Sequence, residues 1–289
     1  MASAPGKKYD FHERRRDSDH EGFLVHRRMR WFKIAVAISL IAILGYALAD
    51  VRPRPNGGSW YGYTLGTIAA LLIVWLSLLG VRKRAMTPGR WSLKAWTSAH
   101  VYLGLSLIVV ATLHTGFQFG WNVHTLAYAL MILVIASGVY GIAVYAMLPT
   151  ALSNNRRETT RREMVEALAA IDRQLDQAAQ PLRRDQSDWI IAALDQDPFA
   201  YGVVARLSGR YRNCRTEAAI AAFSDGPRRR EAEERVRALL GRRMAQLQQI
   251  RRHMRLKAML EVWLYVHVPA TIALLGALTA HIVSVFYYW

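Results

Sequence analysis

Apolar and charged positions separate into blocks along the chain. Five stretches, 31–49, 61–81, 99–119, 123–148 and 262–288, are dominated by apolar side chains. No Asp, Glu, Lys or Arg occurs between residues 61 and 81 or between 95 and 155. About 20 such residues in a helix cross a hydrocarbon core of about 30 Å, and an ionised group placed there is expensive. The pattern therefore predicts an all-α, polytopic membrane bundle of about five transmembrane helices. Gly116, Gly120, Trp121 and Asn122 leave only a short turn between the third and fourth spans, which makes those two antiparallel neighbours. Trp31, Trp60, Trp96, Trp121 and Trp263 fall near span ends, where a tryptophan either anchors at the interface or fills space.

The block between the fourth and fifth spans, 149–261, has a different period. Met164, Leu168, Ile171 and Leu175 recur at intervals of four, three and four, an apolar stripe on a charged helix that Pro181 ends. A middle stretch with Trp189, Ile190, Ile191, Phe199, Tyr201 and Tyr211 forms a small packed unit broken at Asp197-Pro198. Asp225-Gly226-Pro227 starts a new helix, with proline in the first turn where its missing donor costs nothing. No proline follows before Pro269, and Leu240, Met244, Leu247, Ile250 and Met254 continue a stripe. One helix is expected from about residue 228 through 281, paired with 159–180 as a hairpin. Self-packing of that hairpin accounts for the stripe, although a partner's helix would read the same. The expected domains are a basic segment 1–30, spans one to four in 31–148, the helical insertion 149–261, and the fifth span in 262–289.

Charge then sets an expected orientation. Of 38 basic residues, nine lie up to Lys33, five between Arg82 and Lys94, and twenty-two between Leu148 and Glu261; only Arg52 and Arg54 fall on the other side. The positive-inside tendency puts the amino terminus and the insertion in the cytoplasm, as in a bacterial inner membrane. Ala47-Leu48-Ala49 mimics a signal-peptidase site, but the long basic lead favours retention of the first span. The net charge of +17 is explained by this topology and by the anionic membrane surface. Aromatic residues are not interleaved with the charges, which argues against nucleic-acid binding. Runs at Arg228–Arg230, Arg242–Arg243 and Arg251–Arg252 read as solvated faces, lipid contacts or docking points for an acidic carrier. Cys214 is the single cysteine, which excludes an intrachain disulfide, a c-type haem attachment and a cluster held by this chain alone, and reads as a small buried side chain.

Candidate chemistry comes from the exceptions inside the apolar blocks. His100 and His114 are fourteen residues apart, and His267 and His281 repeat that spacing. Fourteen helical residues rise about 21 Å and make nearly four turns, so each pair faces one side at two depths. With both helices running outward, His100 and His267 share the inner level, while His114 and His281 share the outer one. Each level offers two imidazoles to one haem iron, giving two haem b groups. Buried histidines hydrogen-bonded to neighbouring helices are the bland alternative. Zinc fits less well, because ligands for one ion sit three or four residues apart on a helix.

Gly66 and Gly80 are also fourteen apart, and Gly104 and Gly116 lie within four residues of a histidine. A flat macrocycle between helices needs such missing side chains, while ordinary packing of membrane helices uses small residues too. Gly138, Gly141 and Gly276 carry the same ambiguity. Pro269 either tunes the ligand geometry near His267 or is a tolerated kink. His124 reads as a solvent-facing loop histidine, with a haem propionate or a quinol as its alternative neighbour. His12, His20, His26 and His253 lie in charged stretches and carry no assigned role.

The doubled His-x13-His motif at His100, His114, His267 and His281 resembles the two-haem cytochrome b superfamily, which includes the haem-bearing half of respiratory cytochrome b and the ferric-reductase-like membrane domain. The resemblance covers 61–148 and 262–289. It implies haem b at those four positions and electron transfer across the membrane. Ferric reductases of the group continue into a flavin and nicotinamide domain, and no Gly-x-Gly-x-x-Gly fingerprint occurs here. The expected partners are a cytoplasmic flavin or iron–sulfur subunit on one side and a quinone or periplasmic electron carrier on the other. Respiratory relatives lack a basic insertion of this size, so their quinone chemistry does not carry over. A self-contained ferric or quinone reductase fed by a separate flavoprotein is the second expectation, and a non-redox scaffold the third.

Overall fold

A computed structural model describes residues 23–49, 56–84, 92–147, 157–224 and 231–287. Among them are nine helices and no strand: α1 (His26–Leu48), α2 (Trp60–Arg84), α3 (Leu93–Thr115), α4 (Val123–Ala146), α5 (Arg157–Ala179), α6 (Arg184–Leu194), α7 (Val203–Ser208), α8 (Arg215–Ala222) and α9 (Glu231–Tyr287). Five of these, α1 to α4 and α9, are long and apolar enough to cross a membrane. The basic lead up to residue 22, Arg52, Arg54, Asp225-Gly226-Pro227, Arg228–Arg230 and Trp289 lie outside the described residues. The chain divides into two compact units, Met1–Val139 with Val266–Trp289, and Tyr140–Tyr265.

In the first unit the core is formed by small and branched residues of α1 to α3, among them Ala35, Ala42, Leu65, Ala69, Ile73, Ala99, Leu103 and Val110, joined by Met131 and Leu274. Small residues let the helix backbones approach closely, while large ones such as Ile41, Leu71 and Ile272 point outward, as a lipid-facing surface requires. Two tyrosines tie α1 to its neighbours: the Tyr61 hydroxyl donates to Ala42 O at 2.7 Å, and the Tyr102 hydroxyl to Leu24 O at 2.9 Å.

The third span differs from the expected 99–119. Ser92 Oγ accepts from the Ala95 N–H at 3.2 Å and starts the helix earlier. Gly116, left-handed at φ 57°, stops it at Thr115, with its N–H donating to Leu113 O. Phe117 is left-handed too, and Asn122 Oδ1 accepts from the Thr125 N–H to open α4. Gly116 is therefore the residue that ends the histidine helix.

In the second unit, α5 lies antiparallel to the first half of α9. Met164 and Leu168 pack with Leu247, Ile250 and Met254, while Leu175 packs with Val236 and Leu240 beside Ile190 of α6 and Ala219 of α8. The apolar stripes thus cover each other. The reading of Arg242–Arg243 as an exposed run is corrected for Arg243, whose side chain is 1% exposed. Its Nε donates to Asp172 Oδ1 at 2.7 Å and its Nη1 to the Thr216 hydroxyl. Cys214 is buried and free.

Helix α9 runs for 57 residues with Pro269 inside it. Proline removes one donor and crowds the preceding turn. Two residues later the Thr271 hydroxyl donates to His267 O at 2.7 Å, an additional bond at the same place.

Candidate metal centres

The four histidines of the doubled motif meet in pairs. His100 of α3 faces His267 of α9 with ring centres 6.5 Å apart and planes at 60°. His114 faces His281 at 5.9 Å and 88°. Each pair takes one ring from each helix, and the fourteen-residue spacing separates the two levels by about 21 Å along the helices.

Each of the four rings also has its Nδ1 engaged by a neighbour. His100 Nδ1 lies 3.1 Å from Leu76 O, and His114 Nδ1 lies 2.8 Å from Gly62 O, both on α2. A carbonyl can only accept, so both rings carry their proton on Nδ1 and keep the Nε2 lone pair free. His267 Nδ1 lies 2.9 Å from Ser137 Oγ, whose own hydroxyl donates to Val134 O. The serine proton is thus committed, and Ser137 accepts from His267. His281 Nδ1 meets His124 Nδ1. Helix α2 thereby orients both histidines of α3, and α4 orients both of α9. Such outer bonds fix tautomer and ring direction in metal-ligating histidines.

The glycine repeat on α2 gains a local explanation. In a helix the residue four places after a carbonyl covers it, and Gly66 and Gly80 stand four places after Gly62 and Leu76. Gly66 thereby leaves the Gly62 carbonyl open to the His114 ring. The two glycines are not equivalent, however. A Cβ on Gly66 would lie 2.7 Å from His114 Cε1, whereas one on Gly80 meets nothing within 4 Å. Gly57 also borders the His114 ring, with a Cβ contact of 3.4 Å. On α4, Gly138 would bring a Cβ to 3.5 Å from His267 Cε1, an ordinary contact, while Gly141 is closed by the Trp263 indole. Gly104 and Gly276 face open space.

The reading of His124 as a solvent-facing loop residue is corrected. It sits in the first turn of α4, half-buried, with its ring centre 4.6 Å from that of His281. Ser137 went unnoticed in the sequence, yet the 124-to-137 interval nearly matches the ligand spacing. Among the described residues, no three His, Cys, Asp or Glu side chains group as a metal site.

The ring separations would suit two imidazoles holding one metal at each level. Two imidazoles bound to one metal through Nε2 at about 2 Å each put their ring centres about 6 Å apart, a value between the observed 6.5 and 5.9 Å. Compared with models of known families, with curated proteins and with solved structures, the chain matches none.

Proposed function

We propose that the chain is a di-haem b-type cytochrome subunit that carries electrons across a membrane. His100 and His267 hold the inner haem, and His114 and His281 the outer one. The observation that supports this reading is the coincidence of two geometries: paired rings at the separation two ligands of one metal need, and an Nδ1 partner for each of the four rings. Haem iron with two histidine ligands supplies one-electron exchange without an open position for oxygen. The chain's own part is to hold the four rings, fix their protonation and surround them with apolar helix.

The amino terminus and the 149–261 insertion lie on the cytoplasmic side, where basic residues concentrate. Electrons pass between a cytoplasmic flavin or iron–sulfur subunit and a quinone or periplasmic carrier. A pyridine haemochrome assay on the purified chain tests the reading, with two b-type haems per chain expected. A colourless, folded protein refutes it and leaves a scaffold role.

A further inference from the structure

Around Tyr211 in the second unit, three arginines gather. The Arg251 guanidinium lies over the Tyr211 ring at 4.5 Å and 5.9 Å from the Tyr201 ring, and its Nη2 donates to Cys214 Sγ at 3.0 Å. Arg206 donates to Phe199 O at 3.1 Å. The Nε of both Arg206 and Arg251 is buried with no acceptor, and a buried charged donor without a partner is costly. Burial holds the Tyr211 phenol above its ordinary pKa, and the charges of Arg251, Arg206 and Arg255 pull it the other way. Arg255 stands one helical turn after Arg251 on α9, and its Nη1 lies 3.8 Å from where a Cβ on Gly209, two residues before Tyr211, would sit. Among the described residues none of the three forms an ion pair with Asp or Glu, although Arg162, Arg183, Arg215 and Arg243 each do.

We propose that Arg206, Arg251 and Arg255 form a binding site for a phosphate group, set on the Tyr201–Tyr211 platform. Guanidinium forks match phosphate oxygens geometrically and release water more readily than an ammonium. Three positive charges exceed what one carboxylate neutralises, whereas a phosphomonoester brings about −1.5 to −2 and three acceptor oxygens. The group approaches from the side of Arg255, which is exposed. Its source is either a lipid headgroup or a soluble phosphate compound, and the site stands independently of the haem reading.

Calorimetry with inorganic phosphate on the full chain in neutral detergent tests this. One saturable site per chain is expected. Arg251→Gln should weaken it about tenfold or more. Arg255→Gln should do the same, and because that side chain is exposed its loss leaves packing intact. Arg162→Gln, which breaks only an exposed pair with Glu166, should leave binding unchanged. Absence of saturable binding, equal affinity in the Arg255→Gln protein, or tighter binding of poly-glutamate than of phosphate overturns the proposal. Short-chain phosphatidic acid binding more tightly than inorganic phosphate identifies a lipid headgroup as the source, and weaker binding identifies a soluble phosphate; either result upholds the site.

Discussion

Two polar sites, one in each unit, are satisfied in opposite ways. In the first, four half-buried histidines are each tied through Nδ1 to a backbone carbonyl, a serine or another histidine. In the second, Arg243 is closed on itself by Asp172 and Thr216. An ion pair closed within the chain serves the fold, while imidazoles paired on a repeated spacing are what the proposed haem reading rests on. On the proposed function, Arg243 and the histidines should respond differently to substitution, the first in stability and the second in cofactor content.

The largest effect is expected at the closed network. Arg243→Met leaves Asp172 as an unpaired, largely buried carboxylate, and thermal or denaturant unfolding of the second unit should show a loss of about 3–5 kcal/mol. Adding Asp172→Leu should restore most of it, because the pair replaced by apolar groups no longer strands a charge. If the double variant is no more stable than the single, the ion pair is not the reason for the loss.

Next is the contrast between two glycines. Gly66→Ala forces a methyl against the His114 ring, an overpacking cost of about 1–3 kcal/mol, and should lower occupancy of the outer haem. Gly80→Ala enters open space and should leave the haem spectrum unchanged. Equal behaviour of the two variants would contradict a role for Gly66 in making room for the His114 ring.

Smaller effects separate the helices that orient the ligands. The partners on α4 are side chains, so His124→Ala should weaken the outer haem and Ser137→Ala the inner one, each by about 10–100-fold in affinity. Potentiometric titration distinguishes the two centres. The partners on α2 are carbonyls, beyond the reach of side-chain substitution, so no equivalent variant exists for the histidines of α3.

How much was legible in the sequence also differs between the units. In the second, the 3.6-residue period marks the core, because one face is wet and the other is not. Leu168, Leu175, Leu240, Leu247 and Ile250 are buried as their spacing predicts. Arg243 escaped notice because it was read with its neighbour Arg242 as a charge run. Yet it stands on the stripe, three after Leu240 and four before Leu247, and Asp172 occupies the matching place between Leu168 and Leu175. Two opposite charges on facing stripes were the available signal. In the first unit both faces of a helix are apolar, so hydropathy finds the spans without telling core from lipid. There the polar exceptions carry the information, and the fourteen-residue interval sufficed to pair the histidines. The contact of His124 was not legible, since the start of α4 depends on how Gly116, Phe117 and Asn122 shape the turn.

The pairing of ligands across α3 and α9 is open to a direct count of haem in two double variants. His114→Ala with His281→Ala empties the outer level alone, so the purified chain should keep one haem b. His100→Ala with His281→Ala damages both levels, leaving one imidazole at each, and should drop below that value with neither centre retaining its two-histidine spectrum. Equal haem in the two proteins, or a crossed variant that keeps one intact centre, means that the irons are not held level by level between these helices.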